Sequence, residues 1–291
     1  MTSGVPSVAA TPLSRARALA VVPRLTAAAW GAIAAAALFL AITCWWLTQD
    51  RSIPVFDAGL HLSLAFEVHS ELAAGRLTSA LTLTKPYPPL AYLVGALGIT
   101  IGGVNVAAPI VAENFVFVPL LALGCYHVGK LAFNRTAGLL AVIFALGSPL
   151  IIAQFHVFMI DAPETAMVAV SLWAVLATEG FSRLGISAIA GLSVGLGLLS
   201  KEPFAFYMIG PVLVTAIRGG VRSWRGAVLF ALVALIVALP WYAHELSTVK
   251  AVESGAVNTA GRPEYPNDTA PARYSFDNFT WYLWNLANFQ L

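Results

Sequence analysis

The 291 residues are 59% hydrophobic and only 10% charged, with a formal net charge of +2, against about 25% charged in an average soluble protein. That balance, with a mean hydropathy of +0.80, excludes a soluble globular domain. The small net charge, with no basic cluster interleaved with aromatics, excludes a nucleic-acid partner.

Arg15, Arg17 and Arg24 precede a run from Leu25 to Gln49 without a charged residue. The run is too long for a signal-peptide core and long enough to cross a hydrocarbon layer of about 30 Å, so it reads as an uncleaved anchor. Further apolar segments fall at 88–103, 106–127, 136–156, 163–178, 185–200, 203–217 and 225–243. The first of these is short and contains Gly95, Gly98, Gly102 and Gly103, which favours a helix lying at the surface over a crossing. Cys44 and Cys125 sit in separate apolar runs without zinc or C-x-x-C spacing and read as small core residues.

The distribution of basic residues arbitrates the count. With 88–103 left uncrossed, Arg15, Arg17, Arg24, Lys130, Arg135, Arg183, Arg218, Arg222 and Arg225 share the inner side, with Glu179 the one acid there. Asp57, Glu67, Glu71, Asp161, Glu164, Glu202 and Glu245 fall outside. A crossing at 88–103 flips every later loop and puts the basic loops outside. The expectation is an all-α polytopic membrane protein of about seven transmembrane helices, plus juxtamembrane helices in a first outer loop at 48–106. Residues 1–24 form an inner (cytoplasmic) tail, 25–245 the transmembrane domain, and 246–291 an outer, periplasmic segment that stops without a closing span, as if the protein continued.

Three outer connections then carry the ionisable groups. Asp57 and His61 lie four residues apart and share a face of an amphipathic helix that begins after Pro54. Asp57 there serves as a helix N-cap or as a reacting carboxylate, and His61 as a headgroup-level polar residue or part of a site. Asp161-Ala162-Pro163-Glu164 has the spacing of a capping box, and Ser200-Lys201-Glu202-Pro203 reads as a turn. Convergence of these connections would put a carboxylate for proton abstraction beside a lysine for phosphate. Glu113 near the outer end of the second span is either functional or snorkels to the interface. His127 and His156 fall at opposite ends of their spans and cannot share a metal. Gly191-x-x-x-Gly195 marks close helix packing, and Asn267 and Asn278 open glycosylation sequons.

Four features occur in order: Asp57-Ala58-Gly59-Leu60-His61, Tyr87-Pro88-Pro89-Leu90, Ile160-Asp161-Ala162, and Gly191-Leu192-x-x-Gly195-Leu196-x-x-Leu199-Ser200-Lys201. Together they resemble the GT-C membrane glycosyltransferases, in the protein O-mannosyltransferase and aminoarabinose-transferase branch, over roughly residues 25–245. The resemblance implies an enzyme of the cell inner (plasma) membrane. It would move a sugar from a polyprenyl-phosphate carrier to a lipid, glycan or protein acceptor on the outer face, with inversion. It implies Asp57 as general base and Asp161 as a second catalytic acid. Lys85 and Lys201 would hold the carrier's phosphate, with His61, Tyr87 and Glu202 beside the substrate. No cofactor is fixed by the resemblance, and a divalent metal is open.

The chain departs from the family's pattern at several points. Ala58 stands where many members have a second acid, and Tyr87 where a lysine often precedes Pro-Pro-Leu. Pro86 stands where the aminoarabinose branch has a glutamate, and no histidine falls near Trp284-Asn285-Leu286. The competing readings are a transporter or lipid flippase, which would place ionisable groups near the bilayer midplane, and a non-catalytic membrane subunit.

Overall fold

A computed structural model describes residues 25–54, 56–220 and 223–258, together with Phe276 and Thr280. The N-terminal tail, the sequon asparagines Asn267 and Asn278, and the segment around Trp284 lie outside the described residues. Eleven helices and no strand occur among those that are described.

Helix α1 (Ala27–Gln49) takes its N-cap from Thr26, whose hydroxyl accepts from the Ala29 amide. Helix α2 (Phe56–Ala73) follows, then the short α3 (Leu77–Thr82), with both guanidinium donors of Arg76 on Glu71 at 2.7 Å to close the turn between them. Helix α4 (Leu90–Gly102) packs on α2. Helix α5 (Ala107–Ala132) leads to α6 (Arg135–Leu146), which Asn134 caps through the Ala137 amide. The remainder are α7 (Pro149–Phe155), α8 (Asp161–Ala177), α9 (Leu184–Leu198), α10 (Phe204–Gly219) and α11 (Trp224–Asn258).

Three helices, α1, α5 and the Trp224–Glu245 part of α11, are long and apolar enough to cross a membrane. The expected single span at 136–156 is instead two helices bent by 62°. Gly147 and Ser148 interrupt it, and Pro149 starts a new helix where its missing N–H costs nothing. Counting the bent pair as one span brings the number to four; α4, α9 and α10 are apolar but shorter. Length and apolarity thus support three to four of the seven expected crossings. The outward faces carry large apolar side chains, among them Trp45, Phe206, Ile217 and Ile236, all more than half exposed, as a lipid-facing surface requires.

Helices approach closely where side chains are small. A Cβ on Gly191 would run into the Phe230 carbonyl oxygen of α11, and one on Gly195 would stand 2.8 Å from Val237 Cβ. The Gly191-x-x-x-Gly195 segment is therefore a packing seam between α9 and α11, as its spacing suggests. A separate apolar cluster, built on Leu62, Val68, Tyr92, Ala96, Ile99, Phe158 and Ile160, fixes the first-loop helices to the segment that enters α8.

Candidate active site

Three separate connections meet at one end of the bundle. The Leu90 amide donates to the Leu199 carbonyl at 2.9 Å, which ties the start of α4 to the end of α9. That bond brings the Tyr87-Pro88-Pro89 segment beside the turn holding Lys201 and Glu202. Tyr87 is itself held in a tight turn, with its amide on the Thr84 carbonyl at 2.9 Å and its carbonyl accepting from the Thr84 hydroxyl at 2.8 Å.

Lys201 donates to Asp161 Oδ1 at 2.7 Å and stands 4.0 Å from Glu164 Oε2. Helix α8 begins at Asp161 after an Ile160 cap position that makes no side-chain bond. The expected capping box at Asp161 and Glu164 is therefore not formed: both carboxylates turn to Lys201 across the bundle. Lys201 is not the solvated turn residue that its neighbours alone suggest. Burial disfavours its charge, but the Asp161 hydrogen bond and the charges of Asp161, Glu164 and Glu202 outweigh burial and raise its pKa.

His61 is buried, 3% exposed. Its Nδ1 lies 2.7 Å from the Tyr92 hydroxyl, and its ring meets the edge of Tyr87 at 4.9 Å. Burial first, with Lys201 adding to it, pushes the imidazole pKa down against the pull of Asp57 and Asp161. Burial also pushes the Tyr92 phenol up, with Tyr87 and Glu202 acting the same way. A phenol that keeps its proton and donates to Nδ1 leaves the ring proton of neutral His61 on Nε2.

Asp57 lies in the first turn of α2, exposed. It is close enough to act on His61, as are Asp161 and Lys201. Asp57, His61, Tyr87, Asp161, Lys201 and Glu202 thus form one cluster. Lys85 pairs instead with Glu245, 3.1 Å away at the C-terminal end of the α11 span.

Sequence reasoning missed Tyr92, the role of Glu164 and the Lys85 partner Glu245, because each pairing joins distant segments. Glu113 does not snorkel: it is fully buried in α5, and neither carboxylate oxygen makes a hydrogen bond. His127 and His156 stay apart, stacked on Trp173 at 4.6 Å and on Trp46 at 5.2 Å. Among the described residues no three His, Cys, Asp or Glu side chains gather as metal ligands.

These features define a multi-pass helical membrane protein with a carboxylate-rich polar cluster at one end. Residues 86–244, more than half of the chain, match the family model for dolichyl-phosphate-mannose-protein mannosyltransferases, and the chain belongs to that family. The matched stretch holds Tyr87, Asp161, Lys201 and Glu202, while Asp57, His61 and Lys85 precede it. No curated protein and no solved structure matches the chain.

Proposed function

We propose that this mannosyltransferase-family protein transfers a sugar from a polyprenyl-phosphate carrier to an acceptor hydroxyl on the outer face of the membrane, inverting the anomeric carbon. Asp57 accepts the hydroxyl proton as the acceptor oxygen bonds to that carbon. The carbon–oxygen bond to the carrier breaks, and the phosphate leaves with its electron pair. Lys201 exchanges Asp161 for the leaving phosphate and offsets its growing charge. Neutral His61, steadied by Tyr92, donates from Nε2 to the sugar or acceptor, and Tyr87 offers an aromatic edge. Asp161, released from Lys201, is the second acid beside the reacting atoms, and Glu202 keeps Lys201 charged. The topology that goes with this reading has seven crossings with the N-terminus inside.

The observation that supports it is the convergence of Asp57, His61, Asp161 and Lys201 from three connections in a chain of this family. A flippase needs its ionisable groups along a path through the midplane, whereas these gather at one end. The test is sugar transfer by the full chain in liposomes, from radiolabelled polyprenyl-phosphate sugar, with Asp57→Asn as the variant. Asn suits a helix start about as well as Asp, so expression and thermal stability should hold while transfer falls by about 10²–10⁴-fold. Transfer at the wild-type rate would remove Asp57 from catalysis.

A further inference from the structure

A groove of about 610 Å³ lies between α1 and α5, lined almost wholly by apolar atoms, with Lys130 and Arg135 at one end. It is remote from the acid cluster. Trp46, at the last turn of α1, stacks on His156 just ahead of α8, whereas Thr26, at the first, stands 3.4 Å from Tyr126 Oη beside the basic end. Glu113 and Lys130 likewise occupy opposite ends of α5, about 25 Å apart at 1.5 Å per residue.

We propose that this groove binds one anionic phospholipid of the surrounding bilayer, an acyl chain lying along α1 and the phosphate resting between Lys130 and Arg135. The groove follows α1 from Thr26 to Leu40, about 21 Å at 1.5 Å per residue, enough for a chain that fills one leaflet. Its volume lies in the range of about 300–1,000 Å³ typical of small-molecule sites. Both basic side chains are exposed, and neither is in an ion pair among the described residues. They close α5 and open α6 within the lining of this one groove, and no acid lines it among the described residues. Basic pockets between transmembrane helices select anionic headgroups in this way. Residues 1–24 are poor competitors for the place, because they carry Arg15, Arg17 and Arg24 and no acid.

The inference is independent of the transferase reading, and its test does not measure transfer. The full chain in detergent is titrated with phosphatidylglycerol or phosphatidylcholine, and retained lipid is read by native mass spectrometry. Wild type should keep one phosphatidylglycerol in preference to phosphatidylcholine. Lys130→Gln with Arg135→Gln should weaken retention by about 30-fold. Ala37→Phe, which fills the groove without touching the charges, should lower retention of either lipid. Equal retention of the two lipids by wild type, or no loss in the double variant, overturns the proposal. So does a disulfide between a cysteine at Ala37 and one within residues 1–24 that forms at the expense of lipid, since the occupant is then the chain's own tail.

Discussion

Lys201 Nζ stands 2.7 Å from Asp161 Oδ1 although 40 residues separate them in sequence. The pair joins the start of α8 to the turn between α9 and α10, and Glu164 Oε2 follows at 4.0 Å. This ammonium among acids holds these helices together, and in the proposed reaction it is also the cation that the carrier's phosphate meets.

Kinetics separates the two uses. Lys201→Ala should raise the KM for the lipid-linked sugar about tenfold or more, the worth of a charged hydrogen bond. Lys201→Arg keeps the charge with a different shape and should do less. A KM unmoved by both changes would leave Lys201 with a purely structural role.

His61 sets a pH dependence of stability. Its pKa in the folded chain lies below the ordinary value of 6.5, chiefly through burial, so protonation favours the unfolded chain. The stabilisation is complete above the unfolded value and is lost as pH falls below it through the folded-state pKa. Melting temperatures in detergent should therefore drop as pH falls below about 6.5, and His61→Gln should flatten part of that drop. Tyr92→Phe leaves Nδ1 without its partner and should cost about 1–3 kcal/mol at neutral pH. If the Gln variant keeps the full pH slope, another group carries it.

Members of the cluster were legible in the sequence where local chemistry marks them, and their pairings were not. Asp57 and His61 announce themselves by four-residue spacing ahead of an amphipathic run, and counting charges groups Asp161 and Lys201 on one side. Their partners depend on which helix ends meet: Tyr92 lies 31 residues from His61, and Glu245 pairs at 3.1 Å with Lys85, from a distant part of the sequence. The break between α6 and α7 falls at Gly147-Ser148-Pro149, but apolarity on both sides makes 136–156 read as one span. Whether Glu113 snorkels or is buried depends on the rotation of α5 against its neighbours, which hydropathy does not encode.

Two glycines should respond in opposite directions. Gly191 has no room for a Cβ against Phe230, while nothing lies within 4 Å of one on Gly210 in α10. Gly191→Val should lower stability by about 1–3 kcal/mol through overpacking. Gly210→Ala should raise it by about 0.5–1 kcal/mol by favouring the helix. Thermal unfolding of the two variants in one detergent checks both, and a tolerated Val at Gly191 would contradict the close α9–α11 seam.

The proposed topology can be read by thiol labelling in intact cells once Cys44 and Cys125 are replaced. Single cysteines at Ser63 or Thr78, both exposed, should react with a membrane-impermeant reagent. Those at Thr136 or Ser182, also exposed, should react only after lysis. Labelling of the second pair from outside would overturn the seven-crossing arrangement.

Lys85 is the site residue whose role the geometry divides most sharply. Glu245, at the end of the α11 span, is fully buried, and among the described residues its close cation is Lys85 Nζ at 3.1 Å, with His244 Nε2 at 3.5 Å. Lys85→Ala strands that carboxylate. The cost should be about 2–3 kcal/mol, below the 3–5 kcal/mol of a fully buried pair because the lysine is 42% exposed. Glu245→Gln removes the charge but keeps the shape, so the double variant Lys85→Ala, Glu245→Gln should recover most of the lost stability. If Lys85 serves only the fold, the double variant also recovers the wild-type KM for the lipid-linked sugar. If Lys85 swings from Glu245 to the carrier's phosphate, stability returns while KM stays raised, and Glu245→Gln alone, which frees the lysine, lowers KM. Measuring melting temperature and KM on the same four preparations decides between the outcomes. A double variant that regains both quantities would remove Lys85 from carrier binding.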